Sequence, residues 1–388
     1  MAVISGQRFT THQSTETRAV RDVKEEINQL EPDQYPLVAI MNKAKNRLKV
    51  TGNKKYEWFE DTLLPRFDVL GATELTAVAT QMIVTNFAYF RKGDLVRVNK
   101  SELVYVTATP TTTTVAIRRA YGTTAAKVAA VGSQLHIIAN LADEGETVGD
   151  VLTTQKVPQY NYCALHKTPY KVSGTAQASD VYGKGDLDYE VAKAIIEHAK
   201  SIELLNLLGE LKLDTANETS LGVSRGILAF VTTNVKDIAT LTEDEFEEFL
   251  RKTFRYGNKS KVLFASSKLC TVINGFSRDK LQTTSGESTY GVTMTEYKNT
   301  GRKLMIVEHP LLENDAQTDL TGLMGTGIVL DLGDLSYRHM KGRYMKKDQV
   351  NPNQDSTLFD GTVGQILTEG GLQLEQEKKH GLLTGVQE

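Results

Sequence analysis

Seven histidines, two cysteines and a scatter of carboxylates are the side chains with which this chain could do chemistry. Catalysis or metal binding needs such groups to converge, and their spacing brings few of them together. No HExxH pair occurs, which would set two histidines one helical turn apart on a zinc ion, and no GxSxG nucleophile turn occurs. Cys163 and Cys270 lie far apart with no second cysteine near either, so a cysteine-based zinc site has no support and both read as buried thiols. Cys163 and His166 would share a face only in a helix, and Pro169 with its β-prone neighbours argues against one. His12 falls in a polar stretch, His136 and His198 fall within a strand and a helix, and His309 precedes a proline. His198, among apolar neighbours, reads as structural.

The remaining motifs have plainer readings. Gly322, Gly325 and Gly327 make the one candidate phosphate loop, but they precede a strand and lack the Lys-Ser/Thr of a P-loop, so a turn is expected. Asp143, Glu144 and Glu146 could attract a cation, yet without EF-hand spacing they read as a solvated acidic turn. Arg338, Lys341, Arg343, Lys346 and Lys347 put five cations in ten residues with no acid between them. In a strand, Arg338 points away from Lys341 and Arg343. Such a strand suits contact with phosphates or with an acidic neighbour; equally, it suits a solvated edge guarded by lysines. No catalytic, cofactor or metal site emerges, and the chain is not expected to be an enzyme.

The elements that carry these residues belong to a sizeable soluble protein. There are 388 residues, 40% of them hydrophobic and 24% charged, with 45 Lys+Arg against 48 Asp+Glu. A disulfide scaffold, a disordered chain and a strongly basic nucleic-acid binder are therefore excluded as general classes, and any charge argument must be regional. The amino terminus lacks the pattern of a secretion signal, and no apolar run reaches the ~18 residues of a membrane span. A protein made and kept in a reducing cytoplasm is expected.

Residues 1–55 read as an arm, with ten Lys+Arg against six Asp+Glu. Thr17 to Leu30 and Pro36 to Lys45 predict two short helices, each too poor in apolar residues to stand alone. Residues 56–64 are aromatic and β-prone. Residues 68–150 predict a small β domain, because Val96/Val98, Val104/Val106 and Val115/Ile117 alternate between turns at Asn99–Ser101 and Thr109–Thr111, and Gln134 to Ala139 supplies a closing strand. Residues 151–185 are extended, with Pro158, Pro169 and Gly174 set against a helix; the flanks of the β domain would then pair as strands.

Asp186 to Leu211 gives the strongest helix signal, about 39 Å long, with Asp186 as N-cap. Its apolar face reads Leu187, Val191, Ala194, Ile195, His198, Ile202, Leu205 and Leu208. From 223 to about 330, α and β structure alternate. Gly226 to Val231 is expected as a buried strand, and Thr242 with Glu245 forms a capping box before a helix carrying Phe246, Phe249 and Leu250. Strands are expected at Lys261–Ala265, Lys303–Val307, Ile328–Leu332 and Ser336–Met345, with a helix at Ser267–Phe276. A polar loop at Lys347–Asp360 precedes a last extended region.

In order of elements the chain resembles the major capsid proteins of tailed bacteriophages, the Hong Kong phage-like fold shared with encapsulins. The likeness is carried by Lys24-Glu25-Glu26-Ile27 through Tyr35-Pro36-Leu37, the strand Tyr56 to Asp61, the segment Lys92-Gly93-Asp94-Leu95-Val96 through Tyr121-Gly122-Thr123-Thr124, and the long helix. It is similar to the group in which a β-barrel interrupts the extended loop. The resemblance implies an α+β fold with an N-terminal arm (1–55), an extended loop (56–67 and 151–185) and an inserted barrel (68–150). It further implies a peripheral domain (186–222 and 326–365, with its spine helix at 186–211) and an axial domain (223–325 and 366–388).

The implied function is a shell protein self-assembling as hexamers and pentamers of an icosahedral head around double-stranded DNA. Separate scaffolding, portal and cement proteins would be partners, packaged DNA would be touched non-specifically, and no membrane or cofactor is involved. The chain would assemble in the host cytoplasm and reside in the virion capsid. Candidate inter-subunit contacts are Tyr56, Trp58, Phe59, Tyr160, Tyr162, Arg338, Lys341 and Arg343. No Lys–Asn crosslink is assigned. A virion tail or decoration protein with a carbohydrate-binding β domain is the alternative.

Overall fold

The structure, a computed structural model, describes residues 35–44, 47–142, 144–145, 147, 149–179, 186–215, 221–277, 284–285, 295–299, 301–312, 323–350 and 360–386. The expectations placed on Thr17–Leu30, His12, Asp143, Glu146, Gly322 and the side chain of Asp186 lie outside the described residues. The chain divides into two compact units, one formed by Trp58–Gln159 and the other by the described residues before and after it.

Trp58–Gln159 is built on six strands in the order Phe67–Val69, Gln134–Asn140, Asp94–Val98, Glu102–Val106, Thr114–Arg118 and Gln81–Ile83. The two outermost strands also meet, through a bridge between Leu70 and Val84 and a bond from Gly71 N to Ile83 O of 2.7 Å. Alternation sends Val96, Val98, Val104, Val106, Val115 and Ile117 into one core with Met82, Phe90 and Leu135. Asn99 and Lys100 both have positive φ, 44° and 61°, in the three-residue turn that joins the paired residues Val98 and Glu102. Asn99 also pins the neighbouring strand, donating to Ser133 Oγ (2.7 Å) and accepting from Gln134 N (3.0 Å).

A buried ion pair secures the loop that follows Thr114–Arg118. Glu102 accepts from Arg119 Nε and Nη2, each at 2.6 Å, and from the N–H groups of Ala120 and Lys127. Burial pushes the Glu102 carboxyl up, but the Arg119 bond and the two backbone donors outweigh it, so its pKa is lowered.

Among the described residues the larger unit holds two main sheets and a short pair of strands, Lys212–Asp214 with Leu221–Val223. In the first, Leu48–Thr51, Leu335–Met340, Gly361–Leu374 and Ala164–Ser173 lie in that order, and Lys346–Val350 also pairs with Gly361–Leu374. The helices, in chain order, are α1 (Pro36–Lys43), α2 (Gly174–Ala178), α3 (Asp186–Leu208), α4 (Ile227–Phe230), α5 (Glu243–Thr253) and α6 (Ser267–Ser277). α3 covers one face of the first sheet, where Val191 and Ala194 meet Tyr170 and Ile366. The second sheet runs Val235–Asp237, Gly381–Thr384, Gly327–Leu330, Ser260–Ala265, Arg302–Glu308, Thr295–Asn299, Thr284–Ser285. Its core joins Phe246, Phe249 and Leu250 of α5 to Leu263, Leu269, Ile273, Val329 and Leu383. The Thr242–Glu245 capping box forms as its spacing requires.

Several expectations need correction. Gly226–Val231 is not a strand: Ile227–Phe230 makes one helical turn, with Phe230 N bonded to Gly226 O at 3.1 Å. A six-residue apolar run fits either state; Gly226, which precedes the turn, packs so closely on the end of α3 that a Cβ would lie 2.6 Å from Gly209 N. Gly174 begins α2 rather than preventing a helix, because Ser173 Oγ accepts from Ala176 N at 3.2 Å. α3 stops at Leu208, short of Leu211; a Cβ on Gly209 would sit 2.2 Å from Ser224 O, so the turn there admits only glycine. Its buried face includes Glu203 and Asn206, whereas Ile195 is 40% exposed.

Lys346–Val350 extends strand structure into the expected polar loop. The strand carrying Arg338 is flanked on both sides, so it is no edge. Gly327–Leu330 is internal to the second sheet, and residues 366–374 belong to the first. α1, counted within the arm, buries Pro36, Leu37, Val38, Ile40 and Met41.

Candidate assembly surfaces

Lys55–Glu60 and Val157–Tyr162 pair as a two-stranded ribbon. Alternation along the first strand sorts the aromatic candidates. Tyr56 and Trp58 turn inward and are buried, while Phe59 is 69% exposed. Tyr56 Oη donates to Leu372 O at 2.8 Å, so its contacts are made within its own chain. Tyr160 is exposed and Tyr162 half-buried. Lys55 Nζ lies 4.4 Å from the Tyr160 ring centroid and 2.5 Å from Glu57, whose hydrogen bond raises the lysine pKa.

The basic candidates are dispersed. Arg338 is half-buried, donates to Gln373 Oε1 and stands 5.8 Å from the Tyr56 ring centroid. Arg343 pairs with Glu369 at 2.5 Å and Lys346 with Asp348 at 2.7 Å. Lys341 is exposed and makes no ion pair among the described residues. An open basin of about 540 Å³ brings Arg338 together with Lys55, Tyr56 and Glu57, beside Thr51 and Asn53. Within Trp58–Gln159, a hollow of about 270 Å³ is lined mainly by apolar groups, including Leu63, Leu64, Ile137, Ile138 and Leu152.

The residues that hold these surfaces in place are buried polar groups that the sequence reading passed over. Asn161 is inaccessible to solvent; its Nδ2 donates to Leu372 O (2.7 Å), Ser224 Oγ (3.1 Å) and Arg225 O (3.2 Å), and its Oδ1 accepts from Tyr162 N and Arg225 N at 2.8 Å each. Gly371 lets this cluster close, because a Cβ there would meet Tyr162 O at 2.5 Å and Tyr56 Oη at 2.7 Å. Tandem glycines at 370 and 371 inside an otherwise β-prone segment were the available signal.

Glu203, on α3, is also fully buried. Its two oxygens accept from Leu37 N and Val38 N, both at 2.7 Å, and one also contacts His309 Nε2 at 2.8 Å. Leu37 and Val38 lie in the first turn of α1, where backbone N–H groups have no partner within the helix. Tyr35 offers no side-chain cap. The carboxylate of a distant helix takes its place.

Burial shifts several titratable groups of the interior. His198 bridges Thr168 Oγ1 (2.9 Å) and Thr368 Oγ1 (2.8 Å), and burial lowers its pKa to about 4. Burial pushes the Cys163 thiol up to about 12, while Cys270 is only half-buried. Lys261 donates to Thr253 O, Tyr256 O and Lys379 O at 2.5–2.9 Å; burial lowers its pKa to about 8. Among the described residues no group of three or more His, Cys, Asp or Glu is placed to hold a metal, and no helix is long and apolar enough to cross a membrane.

What such a scaffold serves is shown by its relatives. The chain is 21% identical over 297 residues, 70% of each sequence, to the major capsid protein of Pseudomonas phage PaMx41. Its fold is similar to that of a chain in the capsid of a native GTA particle, with a TM-score of 0.53 at 8% identity over 96% of this chain and 97% of that one. The empty GTA particle gives a TM-score of 0.52 at 8% identity over 96% and 98%. A family model for the SU10 major capsid protein matches residues 4–387. With a Hong Kong phage-like capsid fold and a family match over nearly its whole length, the chain belongs to the SU10 major capsid protein family.

Proposed function

We propose that this major capsid protein forms the wall of an icosahedral phage head as hexamers and pentamers around double-stranded DNA. The observation that carries the reading is apolar surface left uncovered on well-packed units: Leu63 is 94% exposed, Val78 88%, Val151 80% and Phe59 69%. On the shell reading, the cover for these side chains comes from like copies. The family match sets aside the tail or decoration reading.

On this proposal the first sheet with α3 is the peripheral domain, and the second sheet with α5 and α6 is the axial domain. The paired ribbon is the base of the extended loop, and Trp58–Gln159 contains the inserted barrel. The work is containment rather than catalysis. Separate scaffolding, portal and cement proteins join it in the host cytoplasm, and packaged DNA is met by non-specific contact. Expression with the phage's own assembly partners, followed by sedimentation and negative-stain microscopy, tests the reading. Closed particles are expected; a chain that stays monomeric with those partners overturns it.

A further inference from the structure

The charges around α5 are sorted by sign more fully than one helix requires. From Asp237 to Glu248 there are six carboxylates and no cation; from Arg251 to Lys261 there are five cations and no carboxylate. Part of this serves the helix itself, since acids favour its positive amino end and bases its carboxyl end. Glu248 also pairs with Lys252 at 3.1 Å and with Arg251 at 3.9 Å. That account stops at the last turn.

Arg255 and Lys259 lie beyond the C-cap residue Phe254, are exposed, and make no ion pair among the described residues. Arg302 joins them from the adjacent strand, equally without an ion pair, its guanidinium 6.0 Å from the Phe254 ring centroid. Lys303 N donates to Lys259 O at 2.8 Å and holds this corner together. At the other end of α5, Asp244 is exposed and makes no ion pair among the described residues. Eleven residues span about 16 Å, roughly two Debye lengths at physiological salt. The acidic end of one copy therefore does little to neutralise its own basic corner.

We propose that the corner formed by Arg255, Lys259 and Arg302 receives the acidic start of α5, Glu243 and Asp244, from a second copy of this chain. This rests on the shell reading, because a head-to-tail contact of two different patches closes a ring when the rotation permits. Charge complementarity selects the occupant: each copy carries both halves of the contact. Tyr256, 48% exposed, is the one large apolar side chain at the corner that stands well out. A partner recognised through an apolar core therefore finds little there. The rival occupant is a phosphodiester backbone, which the same cations would attract.

Two full-length variants separate the possibilities. E243K/D244K has two basic ends and R255E/K259E has two acidic ends. Expressed alone with the partners the wild type needs, each is expected to lower particle yield about tenfold through like-charge contact. Coexpressed, they are expected to recover hexamer formation, since basic ends again meet acidic ones around an even ring. The proposal is overturned if the mixture forms no more hexamers than its components, or if either variant assembles as the wild type does; hexamers rather than closed particles are the readout, because a five-membered ring cannot alternate. Loss of DNA retention by R255E/K259E with no recovery in the mixture assigns the corner to phosphate instead. If a charge-reversed variant does not fold, D244N and R255Q/K259Q replace the pair, read by the salt dependence of particle dissociation. A flatter dependence is expected for both, and an unchanged one overturns the contact. A monomeric wild type overturns the shell reading itself, and this contact with it.

Discussion

Glu203 and His309 meet at 2.8 Å with neither side chain reaching solvent, and the same carboxylate caps the first turn of α1. One residue thus ties the start of the described chain to the spine helix and to the residue that follows the strand Arg302–Glu308. Removing it would leave the Leu37 and Val38 N–H groups and the His309 ring nitrogen without their acceptor.

Glu203→Ala should cost about 3–5 kcal/mol, in the range for breaking a buried charged network by deleting one partner. Urea unfolding measures the total. Hydrogen exchange should show the largest loss of protection at residues 36–43, and protection there equal to wild type would show that apolar burial alone holds α1.

Acid should weaken the fold through two neutral histidines. His198 and His380 bind a proton near pH 4 in the fold, chiefly because burial disfavours the charged ring, and near pH 6.5 when unfolded. Between those values the unfolded chain holds more protons, so stability falls as pH is lowered, by about 1.4 kcal/mol per unit for each histidine. Urea midpoints at pH 7, 6 and 5 check the slope. His198→Asn should flatten it, and an unchanged slope would place the titration elsewhere.

Gly381–Thr384 lies between Val235–Asp237 and Gly327–Leu330 inside the second sheet. Deleting residues 381–388 should therefore leave two sheet edges unpaired and Leu263 without its neighbour Leu383. Insoluble protein on expression, or lost exchange protection at 327–330, is the expected outcome. A soluble chain with normal protection there would contradict it.

Within Trp58–Gln159, Arg119→Ala should leave Glu102 buried with only backbone donors, at a cost of about 3 kcal/mol. Proteolysis should then open the loop around residues 119–127 first. Glu102→Gln, which keeps the acceptor oxygen while removing the charge, should cost less.

Where short-range pattern decides structure, the sequence is a good guide. The alternating valines from Val96 to Val106, the hairpin at Asn99–Lys100 and the Thr242–Glu245 box follow from spacing alone, because period and cap chemistry are local. The misreadings share another cause. Gly226–Val231 adopts a helical turn packed on the end of α3, and Glu203, a charged residue in a helix, is buried among distant partners. Glu203's acceptor role depends on Leu37 and Val38, 166 and 165 positions away. The hydroxyl of Tyr56, a candidate contact in the sequence, is taken by Leu372 O, 316 positions away. Spacing also shows the sign reversal along α5, but not that Arg302 is folded in beside it.

The pairings of the larger unit join residues made far apart in time. Leu48 aligns with Tyr337, Ala164 with Gly370 and Val235 with Leu382. At roughly 5–20 residues per second on the ribosome, the early strands wait many seconds for their neighbours. Such high contact order makes for slow folding and for sticky nascent edges. The same delay is a safeguard: until residues beyond 360 have emerged, neither main sheet of this unit is whole, so an unfinished chain lacks the surfaces those two sheets build.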